Sequence, residues 1–190
     1  MVCFDRIDIA ASVKNISCLS SNPNFRFLNG DINDREEALR YILALYKIDC
    51  VFHFAAYSHV QDSFVEPLDF TQNNVVGTNK LLEAARHYGK VKRFIHVSTD
   101  EIYGETCGRK VDETSNYSPT SPYAASKAAA EMYAMAYLKS FGLPVIIVRS
   151  NNVYGPCQYP ESRWPESILH YPKLANSNVA QKSFQLLSDS

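Results

Sequence analysis

Three short runs along the chain are apolar at nearly every position: Cys50–Ala55, Arg93–Ser98 and Pro144–Arg149. Each is rich in β-branched or aromatic residues, the pattern of strands covered on both faces. A weaker fourth, Phe25–Leu28, stops at Asn29-Gly30. Between them the apolar positions recur with helical spacing, predicting helices near 34–46, 73–88 and 122–141. Strand alternating with helix points to βαβ units and a parallel sheet. Such sheets bind ligands beyond the carboxyl ends of their strands. Residues 104–121 are rich in Gly, Thr, Ser, Asn and Pro and read as a loop. After Glu161 no period persists, so the expectation is a domain over 1–161 and a divergent, poorly ordered tail over 162–190.

Composition narrows the function classes. The 190 residues are 46% hydrophobic and 21% charged, which fits a globular core and not a disordered chain. Net charge is -1, so no broad basic surface for nucleic acid is expected. Five scattered cysteines without a C-x-x-C pair argue against a disulfide framework and a zinc site. No apolar run reaches the roughly 18 residues of a membrane helix. Asp5, Arg6 and Asp8 leave no readable signal peptide, so the cytoplasm is the expected compartment. The seven glycines are few, and no G-x-G-x-x-G can be drawn through them.

The chemistry concentrates in Tyr123-Ala-Ala-Ser-Lys127. A tyrosine and a lysine four residues apart share one helix face. Ser121-Pro122 suits the helix start, and the alanines that follow are strong helix formers. An ammonium beside a phenol favours the phenolate, which can take a proton from a substrate hydroxyl. An amphipathic helix with an incidental Tyr and Lys would carry the same spacing. What weighs against that is Ser98-Thr99-Asp100-Glu101, directly after the second strong strand. A turn cap explains Ser98 and Asp100, but not their coincidence with Tyr123 and Lys127. Adjacent carboxylates can be driven to different pKa values, giving one acid and one base.

The strings HVSTDEIYGE (96–105), SPYAASKAAAEM (121–132) and RSNNVYGPCQYPE (149–161) resemble the extended short-chain dehydrogenase/reductases. More narrowly they resemble the nucleotide-sugar 4,6-dehydratases that act on dTDP-glucose or UDP-glucose. Related epimerases and decarboxylases share Tyr-x-x-x-Lys but generally lack the Thr-Asp-Glu triplet. The resemblance implies an NAD-dependent lyase, with hydride leaving C4 of the hexose and returning at C6. Tyr123 would take the C4 hydroxyl proton, assisted by Thr99, while Lys127 holds the cofactor ribose. Glu101 would remove the C5 proton and Asp100 would protonate the departing C6 hydroxyl. It further implies cofactor contacts at Asp5, Asp31, Ile32, Ala55, Ala56, Asn74 and Ser98, and substrate contacts at His59 and Asn152. His59 reads equally as a surface loop histidine, and Arg149 as a structural ion pair. A homodimer through helices 73–88 and 122–141 is also implied, as is the alternative of a non-catalytic remnant that partners a full-length enzyme.

The chain departs from that family at both ends. If Asp5 is the ribose carboxylate, the Gly-rich turn belongs about 15 residues earlier. The expected fold is therefore an α/β Rossmann-like doubly wound parallel sheet lacking its first βα unit, with most of the C-terminal substrate domain missing. Two strand edges and an apolar face should then be left open. Tyr57 and the string His59-Val60-Gln61 also differ from the family pattern, with Asp62 a displaced substitute. The string at 21–25 resembles the UDP-rhamnose branch.

Overall fold

Val2–Asp5 forms β1 and Arg26–Asn29 forms β2, paired in parallel from Val2↔Arg26 to Asp5↔Asn29. Cys50–His53 (β3), Arg93–Thr99 (β4) and Val145–Ser150 (β5) form a second parallel sheet in the order β3-β4-β5. This computed structural model describes residues 1–8, 11–108, 110–153 and 155. The expected tail, 162–190, lies outside the described residues. The chain divides into two units. One comprises Met1–Arg6 and Asn24–Asn151 and holds both sheets; the other comprises Ile7–Pro23 and the residues from Asn152 on. In the second, Val13–Leu19 is a 3₁₀ helix.

The helices fall where the apolar spacing predicts them. Glu36–Leu45 is α1, Val60–Val65 is α2 and Pro67–Phe70 is α3. Thr78–Tyr88 is α4 and Pro122–Phe141 is α5. Both long helices stop at a glycine in the left-handed region, Gly89 at φ 69° and Gly142 at φ 69°. The Ser121 hydroxyl accepts from the Ala124 amide (3.1 Å) to start α5, with Pro122 in its first turn. The predicted helix 73–88 is not uniform: its first part, Thr71–Gly77, is π-helical. The two short helices α2 and α3 carry too few residues for a periodic signal.

One core serves both sheets. Leu39 and Leu43 of α1, Leu82, Ala84 and Ala85 of α4, Phe94 of β4, and Ala134 and Tyr137 of α5 are buried together. Phe4 of β1 and Val51 of β3 pack against this same cluster. Each fully buried large apolar side chain there contributes about 1.5–3 kcal/mol. Yet β1 is hydrogen-bonded only to β2, and β3 only to β4. The ladder is open between them, as expected for a Rossmann-like sheet without its first βα unit.

Among the described residues the second sheet is covered on one face only, which departs from strands buried on both faces and agrees with the apolar face expected to be left open. In register, Phe52 lies beside Ile95, and Ile95 beside Ile146. Phe52 (45%), Phe54 (70%), Ile146 (50%) and Val148 (42%) are exposed. The opposite side carries Phe94, His96 and Val145, all buried. The continuous apolar runs therefore report a sheet built to be sandwiched, of which this chain supplies one layer.

Gly104 fixes the turn after β4. Its φ of +67° with ψ of -158° is a conformation open essentially to glycine alone. A Cβ there would lie 2.0 Å from the Ser118 carbonyl oxygen. That carbonyl belongs to a segment tied down by Ser118 N–H donating to Ile102 O (2.8 Å). Gly104→Ala is expected to destabilise the chain by about 1–3 kcal/mol, measured as a lowered urea midpoint.

Candidate functional site

β4 carries the site because it is paired on both edges and its carboxyl end opens into a tight turn. Asp100–Tyr103 forms one 3₁₀ turn, capped by the Thr99 hydroxyl, which accepts from the Glu101 amide (3.3 Å). Ser98 and Thr99 are buried, and Asp100 and Glu101 are half-buried. Burial raises the Glu101 carboxyl pKa, and the neighbouring Asp100 charge raises it further. A raised carboxyl is the stronger base once ionised, which suits removal of a carbon-bound proton.

Tyr123 and Lys127 project from the first turns of α5 onto this strand. Tyr123 is buried, with its ring edge-on to Phe70 at 6.3 Å. Burial raises its phenol pKa; the Thr99 hydroxyl beside it pulls the other way, and the Glu101 and Asp100 charges add to the rise. The net shift is therefore upward, not the lowering expected from Lys127, whose ammonium donates to the Val97 carbonyl oxygen at 2.6 Å. Lys127 is itself buried, which lowers its pKa to about 8 against the pull of Glu131.

Beneath them lies a polar layer that sequence reasoning missed. His53 Nε2 lies 2.8 Å from Thr78 Oγ1, and His53 and His96 face each other at 5.4 Å between ring centroids. Burial, then the other imidazole and Lys127, hold His53 well below its ordinary value. Burial and Lys127 bring His96 to about 4. Both are therefore neutral at pH 7. Two imidazoles paired across adjacent strands but far apart in sequence leave no local spacing that would announce them.

The π-helical turn places Asn74 between the loop at Tyr57 and helix α5. Its Oδ1 accepts from the Tyr57 amide (2.7 Å), and its Nδ2 donates to Tyr57 O (2.9 Å) and to Ser126 Oγ (2.9 Å). Ser126 Oγ in turn donates to Tyr123 O (2.7 Å). Asn74 is thus committed to fixing the segment that follows Ala55 and Ala56, rather than presenting its own amide outward. π-turns of this kind are frequent at functional sites.

The far end of the crevice gathers around Arg6. It donates to Asp31 Oδ2 (3.2 Å) and Asn73 Oδ1 (3.1 Å) and sits 4.5 Å over the Tyr57 ring. Burial raises the Asp31 pKa, but the Asn33 amides and Arg6 outweigh it, so the carboxyl ends below its ordinary value. Ile32 is buried against Gly77, where a Cβ would come within 2.7 Å of the Ile32 Cδ1. Asp5 is exposed at the end of β1. Asp5, Asp31 and Ile32 are the residues the resemblance implies at the adenosine end of a dinucleotide, with Tyr123 and Lys127 at the other. The phosphates between them would need backbone amides at a Gly-rich turn, and no such sequence occurs in the chain.

Of the two substrate candidates, His59 precedes α2 with Nδ1 3.1 Å from Asp62 Oδ1. Asn152 belongs to the second unit. Arg149 is a structural partner, as read from sequence: its Nη2 lies 2.6 Å from Glu131 Oε1, and it also donates to Tyr103, Tyr117 and the Glu113 carbonyl.

Burial of Lys127 gives a signature in stability. Its folded pKa, near 8, lies below the ordinary 10.5. The folded chain therefore sheds this proton first, and stability from this group rises with pH between those values. Relative to Lys127→Met, the unmodified chain is expected to gain about 2 kcal/mol between pH 7.5 and 9.5. Urea unfolding of both proteins at the two pH values measures it.

The family model described as GDP-mannose 4,6 dehydratase matches residues 1–178. A trifunctional UDP-glucose 4,6-dehydratase/UDP-4-keto-6-deoxy-D-glucose 3,5-epimerase/UDP-4-keto-L-rhamnose-reductase of Arabidopsis thaliana is 48% identical over 172 residues, 89% of this chain and 26% of that protein. The dTDP-D-glucose 4,6-dehydratase of Homo sapiens is 47% identical over 164 residues, 86% of this chain and 46% of that one. The crystal structure of DesIV, a dTDP-glucose 4,6-dehydratase from Streptomyces venezuelae with NAD and TYD bound, superposes with a TM-score of 0.80 at 42% identity. It covers 84% of this chain and 48% of that one. The chain thus spans about half, or less, of each relative's length. With the Thr99–Glu101 turn set against Tyr123 and Lys127 on one open parallel sheet, the chain belongs to the GDP-mannose 4,6 dehydratase family.

Proposed function

We propose that this chain forms the reacting half of an NAD-dependent nucleotide-sugar 4,6-dehydratase acting on dTDP-glucose or UDP-glucose. The observation that supports it is the 3₁₀ turn holding Asp100 and Glu101 beside Thr99, with Tyr123 packed against the same strand end. Dehydration across C5 and C6 needs a base at one carbon and an acid at the next, and two adjacent carboxyls on a rigid turn supply that pair. Tyr123 takes the C4 hydroxyl proton with Thr99 sharing the bond. Glu101 removes the C5 proton, and Asp100 protonates the departing C6 hydroxyl. Lys127 and Asp5 hold the two riboses; Asp31 and Ile32 flank the adenine, with Ala55, Ala56 and Ser98 along the path. On this reading His59 contacts the sugar or its phosphates. NAD, when bound, takes up the hydride from C4 and gives it back at C6. The near-equal identity to UDP- and dTDP-sugar enzymes leaves both nucleotides as substrates of the reading. A reducing, cytosolic setting suits the free thiols of Cys3, Cys18, Cys50 and Cys107.

We further infer that a second copy covers the outer side of α2, α3 and α5, in place of the pair of helices 73–88 and 122–141 that the resemblance implies. These helices pack on one another and leave Phe64 (58%), Val65 (70%), Leu68 (80%) and Met132 (61%) in solvent. The same face supports the alternative reading, a non-catalytic partner of a full-length enzyme.

The purified chain alone is expected to bind NADH weakly and to show little or no turnover, since its sequence holds no Gly-rich turn for the pyrophosphate. NADH fluorescence titration, followed by assay of both nucleotide sugars, tests this. A 4-keto-6-deoxy product lost in Tyr123→Phe would show the chain self-sufficient, and a C4 epimer would overturn the dehydratase reading. Absence of NADH binding by a folded chain would favour the non-catalytic partner. For the interface, Leu68→Glu with Met132→Glu is expected to convert a dimer to a monomer in sedimentation equilibrium; an unchanged mass would overturn it.

A further inference from the structure

The turn that carries Asp100 and Glu101 is a single 3₁₀ turn of 4 residues. Such short pieces have poor hydrogen-bond geometry and lean on their surroundings for shape. The near end is held by the Thr99 hydroxyl, and the Gly104 amide closes the turn on Glu101 O (3.0 Å). The far end is Tyr103, whose ring is buried with Ile102 and Ala128. Its hydroxyl oxygen accepts from Arg149 Nη1 at 2.5 Å, and the guanidinium lies 5.3 Å from the Tyr103 ring centroid.

Arg149 is itself aimed. It stands on β5 opposite Ser98 in register. Its Nε (3.0 Å) and Nη2 (2.6 Å) both donate to Glu131 Oε1, a fully buried carboxylate on α5. Nη2 also donates to the Tyr117 hydroxyl (2.7 Å), which donates in turn to Glu131 Oε1 (2.5 Å). Two bonds to one carboxylate oxygen set the plane of the guanidinium, and that plane presents Nη1 to Tyr103 and to the Glu113 carbonyl (3.0 Å). A planar fork serves these acceptors together, which a lysine ammonium on a flexible stem does not. An ion pair needed only for charge balance would end at Glu131. This one runs on into the turn and into the segment that follows it.

We propose that Arg149 is a positioning residue: aimed by Glu131, it holds Tyr103 at the far end of the turn, so that Asp100 and Glu101 are fixed between two anchors, the Thr99 hydroxyl and the guanidinium. The inference rests on the reading of Asp100 and Glu101 as the acid–base pair, but its test needs neither cofactor nor sugar.

The test is a [13C]-glutamate NMR titration of the full chain, the Glu101 signal assigned by its loss in Glu101→Gln, together with amide exchange at Gly104. The titratable groups beside Glu101 are Asp100 on its own turn and Tyr123 on α5, and every variant keeps both. Burial is the first cause of the raised Glu101 pKa, so a turn released at Tyr103 admits water and lowers the midpoint. Tyr103→Phe keeps the ring and the Arg149–Glu131 pair and removes only the hydroxyl. In it the Glu101 midpoint is expected to fall by about 0.5 pH unit, roughly threefold in ionised fraction at a given pH. Gly104 exchange is expected to rise about fivefold, the size of one hydrogen bond. Tyr117→Phe takes a hydroxyl from the same guanidinium but off the turn, and is expected to move neither readout. An unmoved Glu101 midpoint in Tyr103→Phe, or equal shifts in the two variants, would overturn the proposal. Arg149→Lys keeps a positive charge beside Glu131 and is expected to shift Glu101 at least as far as Tyr103→Phe; a folded variant that does not would overturn it equally. Should that variant not fold, the two phenylalanine variants decide. Failure here means that the turn stands without Arg149, and leaves the dehydratase reading as it was.

Discussion

The two-sided pairing of β4 is the constraint on which the site depends. A strand hydrogen-bonded along both edges cannot shift register without breaking two ladders. Its carboxyl end therefore holds Ser98 and Thr99 still, and the 3₁₀ turn carries that rigidity on to Asp100 and Glu101. Helix α5 is laid against the same strand through alanines, whose small side chains bring its backbone close enough for Lys127 to reach Val97 O. The acid–base groups are thus placed by backbone geometry first and by their own contacts second.

The electrostatics follow from how dry that contact is. Glu101 and Tyr123 go up and Lys127 comes down, all with burial as the first cause. The phenol and the ammonium, whose ordinary values nearly coincide, are thereby driven apart, and Lys127 gives up its proton before Tyr123 does. The layer beneath, of two neutral imidazoles, adds polarity without adding charge.

Much of this was legible in the sequence because it is local. The Tyr-x-x-x-Lys spacing, the Ser-Pro start of α5 and the run after β4 each fit within one element, and each falls where the pattern placed it. The division into two sheets accords with the expected open strand edges. What was hidden is non-local. Asn74 reaches Tyr57 and Ser126 through a π-turn that hydrophobic spacing reads as ordinary helix. Arg6 meets Asn73 across 67 residues, and Glu131 meets Arg149 across 18. The bond from Lys127 to the Val97 carbonyl was hidden too, because backbone oxygens are invisible to any motif.

The open edges of β1 and β3, with Phe52 and Phe54 stacked beside one of them, bear on how long such a chain persists. Unpaired strand edges next to an apolar face are templates for other strands. At high concentration the nearest such strand is another copy, and growth by edge addition competes with the folded monomer. At low concentration the same edges are where local opening starts, and cellular proteases act on opened chains. Abundance would then be set by whether a matching βα layer reaches the gap before self-association or proteolysis does.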